Sequence, residues 1–352
     1  MKIRPAVMAA TCVGAALAAI AMPVTSAEAA QVSGPKLTWN LSTYTRGRGI
    51  TSLMDEGLST IVSKATDGNF DIKVHYSGTL SPAKENLDGL SIGAFEMALV
   101  TPSFHPGKTP ALTIFDLPSL PLGDLAVQAR TMLAYYQLPE IMKEAQQWKA
   151  RIYLPGLLPA YKMMGKGKPP QDLADLRGRR VRALGGVGQA LRSLGMVPTT
   201  MPTPEVYGAL ERGLIDAVTL PSYALYTYKL FEISDWYTTN LPLGIGASFV
   251  AANIDAWNKL PDQYQKLLVD SVAGSITAGI KAYDDIEGEG DDTFRKRKGL
   301  TAVTYSDDSV KTIINTAAQP VWDEWIADID KKGYDGKKLL NFILTEARRS
   351  GS

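Results

Sequence analysis

Apolar and polar positions follow two different periods along this chain of 352 residues. Alternation with a period of two marks a strand at Phe70–Tyr76, and short β-rich runs mark others at Lys36–Asn40 and Phe95–Val100. Between the first two, Leu53, Leu58, Ile61 and Val62 recur at helical spacing, predicting a helix from Ile50 to Thr66 that Asp67-Gly68-Asn69 stops. Ser77-Gly78 turns the chain towards a second helix near Lys84–Ser91. A β-α-β-α-β order predicts a parallel, doubly wound sheet, with ligands beyond the carboxyl ends of the strands.

The rhythm then restarts. Strands are expected at Ala150–Leu154, Arg180–Arg182 and Ile215–Leu220, with helices at Gly188–Leu194 and Glu205–Arg212. After Pro221 the pattern is helical and aromatic through Tyr223, Tyr226, Tyr228 and Phe231, and Ala247–Ala252 reads as another strand. Leu260-Pro261-Asp262 opens a helix running from Gln263 to about Arg295, with "EGEG" (287–290) as the place where it could end or kink. The fold class is therefore α/β, with two doubly wound lobes and a central cleft. A length beyond roughly 250–300 residues, where single cores divide, agrees with two lobes.

The amino terminus changes the picture of where the chain works. Lys2 and Arg4 precede an uncharged run from Ala6 to Val24, and Ala27 and Ala29 sit three and one positions before a cut after Ala29. This is the pattern of a secretory signal peptide over 1–29, which predicts export to the periplasm. No later stretch reaches the roughly 18 apolar residues of a membrane span, so no stable membrane insertion is expected. The single cysteine, Cys12, falls inside the leader, leaving the mature chain without thiol chemistry. The formal net charge is +1, and loss of Lys2, Arg4 and Glu28 with the leader makes the mature chain neutral, against a nucleic-acid partner.

Most catalytic patterns are missing. His75 and His105 share no metal-ligand spacing, so no metal and no cofactor are expected. There is no G-x-S-x-G, and Glu85 and Asp88 read as a solvated helix face. Gly186-Val-Gly188 with Glu205 imitates a dinucleotide fingerprint, but Leu191 stands where a third small residue is needed. What remains is "DLRGRRVRALGG" (175–186). Arg177, Arg179 and Arg180 read as surface residues. Arg182, at the strand's carboxyl end before a glycine turn, is either solvated or a fork for a ligand carboxylate.

The motifs "YSGTL" (76–80), "GLSIGAFEMAL" (89–99), "DLRGRRVRA" (175–183), "TTMPTPEVYGALERGLIDAVTLP" (199–221) and "NKLPDQYQKLLVDS" (258–271) together resemble the DctP-type substrate-binding proteins of TRAP transporters. The resemblance spans nearly all of the mature chain. It implies a periplasmic receptor for an organic acid, working without catalysis beside large and small membrane subunits. It also implies that Arg182 anchors the ligand carboxylate. Lys162 stands near the place of a second cation, usually an arginine, and Leu220 replaces a polar residue that often precedes the next proline. Leu220 offers no hydrogen bond, which favours a smaller or more apolar acid over a sugar acid.

Further cleft candidates follow the first strand (Asn40, Thr43 and Tyr44) and the third (Thr101, Ser103 and Phe104). Tyr223 is a weaker candidate, and Tyr207 is either core or cleft. The resemblance also implies that the lobes exchange segments, with 30–159 and 246–285 expected as one lobe and 160–245 with 286–352 as the other. The rivals are an exported enzyme on a small acid, with His105 as its best base, and a solute-sensing module.

Overall fold

The computed structural model describes residues 31–349; the expected signal peptide lies outside them. Strands β1 (Leu37–Ser42), β2 (Phe70–His75), β3 (Met97–Val100) and β4 (Ala150–Gly156) belong to a first sheet. The second sheet holds β5 (Lys162–Gly165), β6 (Arg180–Arg182), β7 (Val197–Thr199), β8 (Ala217–Leu220) and β9 (Trp236–Thr238). The chain then returns to the first sheet as β10 (Ser248–Asn253) and ends its strands in the second with β11 (Thr301–Val303). The orders are β2-β1-β3-β10-β4 and β11-β9-β5-β8-β6-β7. Each sheet with its covering helices forms one lobe.

The helices are α1 (Ile50–Ala65), α2 (Asn86–Ser91), α3 (Leu125–Tyr136), α4 (Pro139–Gln146), α5 (Gly185–Ser193) and α6 (Thr203–Glu211). They continue as α7 (Ser222–Thr227), α8 (Ile254–Asn258), α9 (Asp262–Lys296), α10 (Asp307–Thr312), α11 (Gln319–Lys331) and α12 (Gly336–Arg348). Most expected elements recur within a few residues, and β6 coincides with Arg180–Arg182.

The sheets are mixed, not purely parallel. β1 pairs in parallel with β2 and β3, while β10 runs antiparallel to both β3 and β4. The reason is the route of the chain. β1 and β3 run out towards the second lobe, whereas β10 enters from it and must point the other way. β5 is likewise antiparallel to β8 and β9.

The long helix passes through "EGEG" without ending. α9 has 35 residues, about 52 Å at 1.5 Å per residue. A glycine inside a helix costs about 1 kcal/mol relative to alanine, which tertiary packing overrides here. A Cβ on Gly290 would lie 3.4 Å from the Tyr226 side chain, so α7 rests against this turn. Further back, a Cβ on Gly279 would fall 2.2 Å from Met54 Cγ. Its absence lets α1 and α9 approach closely, and Ser275 Oγ donates to the Met54 carbonyl there.

The expected assignment of 286–352 to the second lobe meets a different geometry. β11 joins the second sheet and α10 leads into Ile313, which packs in the second lobe's core with Val310 against it, but α11 and α12 lie on the first lobe. Tyr334 Oη donates to Glu144 at 2.7 Å, Trp325 Nε1 to Thr113 Oγ1 at 2.9 Å, and Arg130 to the Glu346 carbonyl at 3.1 Å. The apolar face of α12, with Leu339, Leu340 and Ile343 buried, needs a partner surface, and α3 supplies it. No helix among the described residues is long and apolar enough to cross a membrane.

Candidate ligand-binding cleft

Between the two sheets lies a narrow cleft with a cavity volume of about 50 Å³. The first lobe contributes Tyr44 and the loop that follows it, Thr101 after β3, and Ser248 at the start of β10. The second contributes Arg182 from β6, Leu220 from β8, and Tyr223 and Tyr228 from α7 and its end. Tyr161, on the crossing before β5, closes the back. Strand ends that face one another place these side chains together, as the topology of open α/β sheets dictates.

Arg182 is the most deeply set of them, with only 1% of its surface exposed. Its Nε donates to the Met201 carbonyl and its Nη1 to the Thr219 carbonyl, both at 3.0 Å. These bonds hold the fork in position while leaving other N–H groups unused. Among the described residues no carboxylate pairs with it. Burial lowers its proton affinity, offset only by the neighbouring phenols of Tyr161, Tyr44 and Tyr228. A guanidinium cannot discharge itself, so the desolvation cost stays in the unliganded protein.

The walls are aromatic and aliphatic. Tyr44 Oη shares a hydrogen bond with Thr101 Oγ1, and burial pushes the phenol up to about 12. Tyr223 packs edge-on against Tyr283 of α9, ring centroids 5.7 Å apart. Two glycines make room for rings. A Cβ on Gly49 would lie 2.5 Å from Tyr223, and one on Gly246 would lie 1.9 Å from Tyr161 Oη. At the mouth, the Arg46 guanidinium sits 4.6 Å above the Tyr228 ring, and Thr227 Oγ1 donates to the Arg48 carbonyl at 3.3 Å.

Of the residues singled out by sequence, Arg182, Tyr44, Thr101, Leu220 and Tyr223 line this cleft. The others have different roles. Lys162 Nζ donates to both oxygens of Asp291 on α9, at 2.7 and 2.9 Å, and faces a separate groove. Its strand starts one residue after Tyr161, so the ring and not the amine enters the cleft. Asn40 is tied below it, its backbone N–H to Glu96 at 2.7 Å and its amide oxygen to His75 at 2.9 Å. Thr43 bonds to Thr45, Ser103 donates to Asp116, and Phe104 supports Tyr44 edge-on at 5.9 Å. Tyr207 takes the core alternative, half-buried against neighbouring apolar side chains.

Sequence reading missed Tyr161, Tyr228, Arg46 and Arg48. The arginines stand in "TYTRGRG" directly after β1, a position that carries ligand loops in such sheets. Tyr161 carries no comparable signal, because its direction depends on the crossing between lobes.

Asp116 is a second buried charge-bearing group near the cleft, 2% exposed. It accepts from Ser103 Oγ and from the Ala247 N–H, yet burial raises it to about 7. A Cβ on Gly185 would lie 2.8 Å from Asp116 Cβ, so the carboxyl sits where α5 of the second lobe meets the first.

Known proteins share this architecture. A TRAP solute-binding protein from Rhodoferax ferrireducens T118, solved with copurified benzoate, superposes with a TM-score of 0.77 at 21% identity, covering 89% of this chain and 98% of that one. One from a marine metagenome, solved with 3-hydroxybenzoate, gives 0.80 at 20% identity over 89% and 98%. A monocarboxylate 2-oxoacid-binding periplasmic protein of Nostoc is 28% identical over 295 residues, covering 82% of this chain and 80% of that protein. The C4-dicarboxylate-binding periplasmic protein of Rhodobacter capsulatus is 26% identical over 221 residues, covering 61% and 64%. The model of the bacterial extracellular solute-binding proteins, family 7 (DctP), matches residues 51–328, and with the cleft between two mixed sheets it places the chain in that family of TRAP substrate-binding proteins.

Proposed function

We propose that this protein is a periplasmic receptor that closes its two lobes around a small organic acid and delivers it to a TRAP membrane permease. The observation that carries the reading is Arg182, a sealed guanidinium in an interlobe cleft with no carboxylate of its own. A ligand carboxylate completes the fork with parallel N–H···O bonds, and so offsets a desolvation cost the fold otherwise bears alone. Contacts across the mouth, Thr227 to Arg48 and Arg46 over Tyr228, form as the lobes meet and couple binding to closure. The periplasmic names of relatives support the compartment. The exported-enzyme alternative loses its base, since buried His105 does not line the cleft.

The test is a thermal-shift screen of mature protein, unfolded and refolded to strip co-purified ligand, against organic acids. Ligand at 100 times Kd should stabilise the native state by about 2.7 kcal/mol. The shift should vanish in Arg182→Ala with the variant still folded. A shift that survives the substitution removes Arg182 from the site.

A further inference from the structure

We infer that the ligand is an aromatic monocarboxylate, and that the Tyr228 hydroxyl is the second donor to its carboxylate. This deepens the receptor reading and rests on it.

The cleft offers a polar ligand few partners. Among the described residues no Asp, Glu, Asn, Gln, His or Lys lines it. Most of its aliphatic hydroxyls already have partners in the chain. Thr51 Oγ1 donates to the Leu157 carbonyl, Ser52 Oγ to the Arg46 carbonyl and Ser248 Oγ to the Gly156 carbonyl. Thr45 is bonded to Ser52, and Thr101 to Tyr44. A polyhydroxylated acid entering here would exchange water for walls with few free groups, and each buried hydroxyl left unmatched weakens binding. Leu99, Leu158, Leu184 and Leu220 match an apolar body instead. The rings of Tyr44, Tyr161, Tyr223 and Tyr228 give it faces and edges to stack against.

The charge count points to one carboxylate. Inside the cleft Arg182 is the sealed cation. Lys162 is taken by Asp291 and faces elsewhere. Arg46 lies over the Tyr228 ring, and Arg46 and Arg48 are exposed at the mouth, where they can draw anions inward but meet them in water. A second acid group buried between the tyrosines would have no opposite charge beside it.

Tyr228 then stands out. Its hydroxyl is buried and makes no hydrogen bond to the chain. The nearby backbone N–H of Arg46 is itself a donor, so the phenol hydrogen has no acceptor there. Tyr228 and Arg182 line the same cleft, and each acts on the other's charge. An acceptor placed on the Arg182 fork is available to both. The same acceptor therefore resolves a buried cation without an anion and a buried O–H without an acceptor.

Calorimetric titration of the refolded mature protein with benzoate, succinate and glucuronate tests this, using wild type, Arg182→Ala and Tyr228→Phe. Benzoate should bind at least about 10-fold more tightly than either other acid. Tyr228→Phe should weaken benzoate about 10-fold, the worth of one hydrogen bond to a charged group, with the melting temperature of the free protein retained. Tighter binding of succinate or glucuronate, lost in Arg182→Ala, overturns the ligand class and leaves the receptor standing. Unchanged benzoate affinity in Tyr228→Phe overturns the second donor. Failure of benzoate to bind, with a hit among other acids in the thermal-shift screen, overturns the ligand class and leaves the receptor standing; no hit from any acid overturns both. Benzoate binding indifferent to Arg182→Ala overturns the shared carboxylate contact.

Discussion

Lys162 and Arg182 lie on strands separated by β8 alone, and the regions around them treat a positive charge in opposite ways. Towards α9, Lys162 and Asp291 form a pair whose side chains keep 21% and 32% of their exposure, so water shares in solvating both. In the cleft, Arg182 has lost its water and gained only two carbonyls. The first arrangement is complete within the chain. The second is complete only when something anionic arrives. Charge type alone cannot tell a structural cation from a binding one; what separates them is whether the fold supplies the counter-charge.

The sharpest break of this comparison is Arg182→Met. Replacing a buried ion pair by apolar side chains of similar volume is often neutral or stabilising by about 1–4 kcal/mol, and Arg182 leaves no counter-ion behind when it is replaced. Urea unfolding should therefore show the free variant to be at least as stable as wild type. Affinity for the acid should fall by about 100-fold or more, the cost of removing one partner of a buried pair. A variant that unfolds readily would show that Arg182 holds the fold together through its two carbonyl partners.

Asp116 sharpens the contrast from the acid side, because a buried carboxyl can neutralise itself by taking a proton while an arginine cannot. Its folded value of about 7 lies above the unfolded one. The sign follows: between roughly pH 4 and 7 the native state holds the proton that the unfolded chain has lost. The stability it contributes is full below about pH 4 and is lost as pH rises through 7, by a few kcal/mol. Urea titrations from pH 4 to 8 should show a shallower decline for Asp116→Asn than for wild type. Parallel curves would place the charged form of Asp116 in the native protein.

The smallest effect belongs to Lys162→Met. A partly exposed pair is worth at most about 1 kcal/mol, so the unfolding midpoint should move little. Acid affinity should stay within about 3-fold by titration, since the amine lies outside the cleft. A loss as large as that of Arg182→Met would restore Lys162 to the site.

Much of this protein was legible in its sequence because strand and helix periods and turn residues are local. The spacing of "RRVRALGG" put Arg182 at a strand end before a glycine turn, and the family motifs pointed to the same residue. Leu220 announced an apolar wall. Tertiary structure alone decided the rest. Tyr161 and Lys162 are sequence neighbours, and the crossing between lobes determines that the ring faces the cleft and the amine faces Asp291. Sequence puts Asn40 beside the cleft, yet it lies inside β1, where Glu96 and His75 occupy its polar groups. α9 continues past Gly288 because α7 packs beside Gly290, a stabilisation no helix propensity contains. Local pattern determines which elements form. Which charges find partners depends on distances between residues far apart in the chain, and that pairing sets Arg182, which has no counter-charge among the described residues, apart from Lys162.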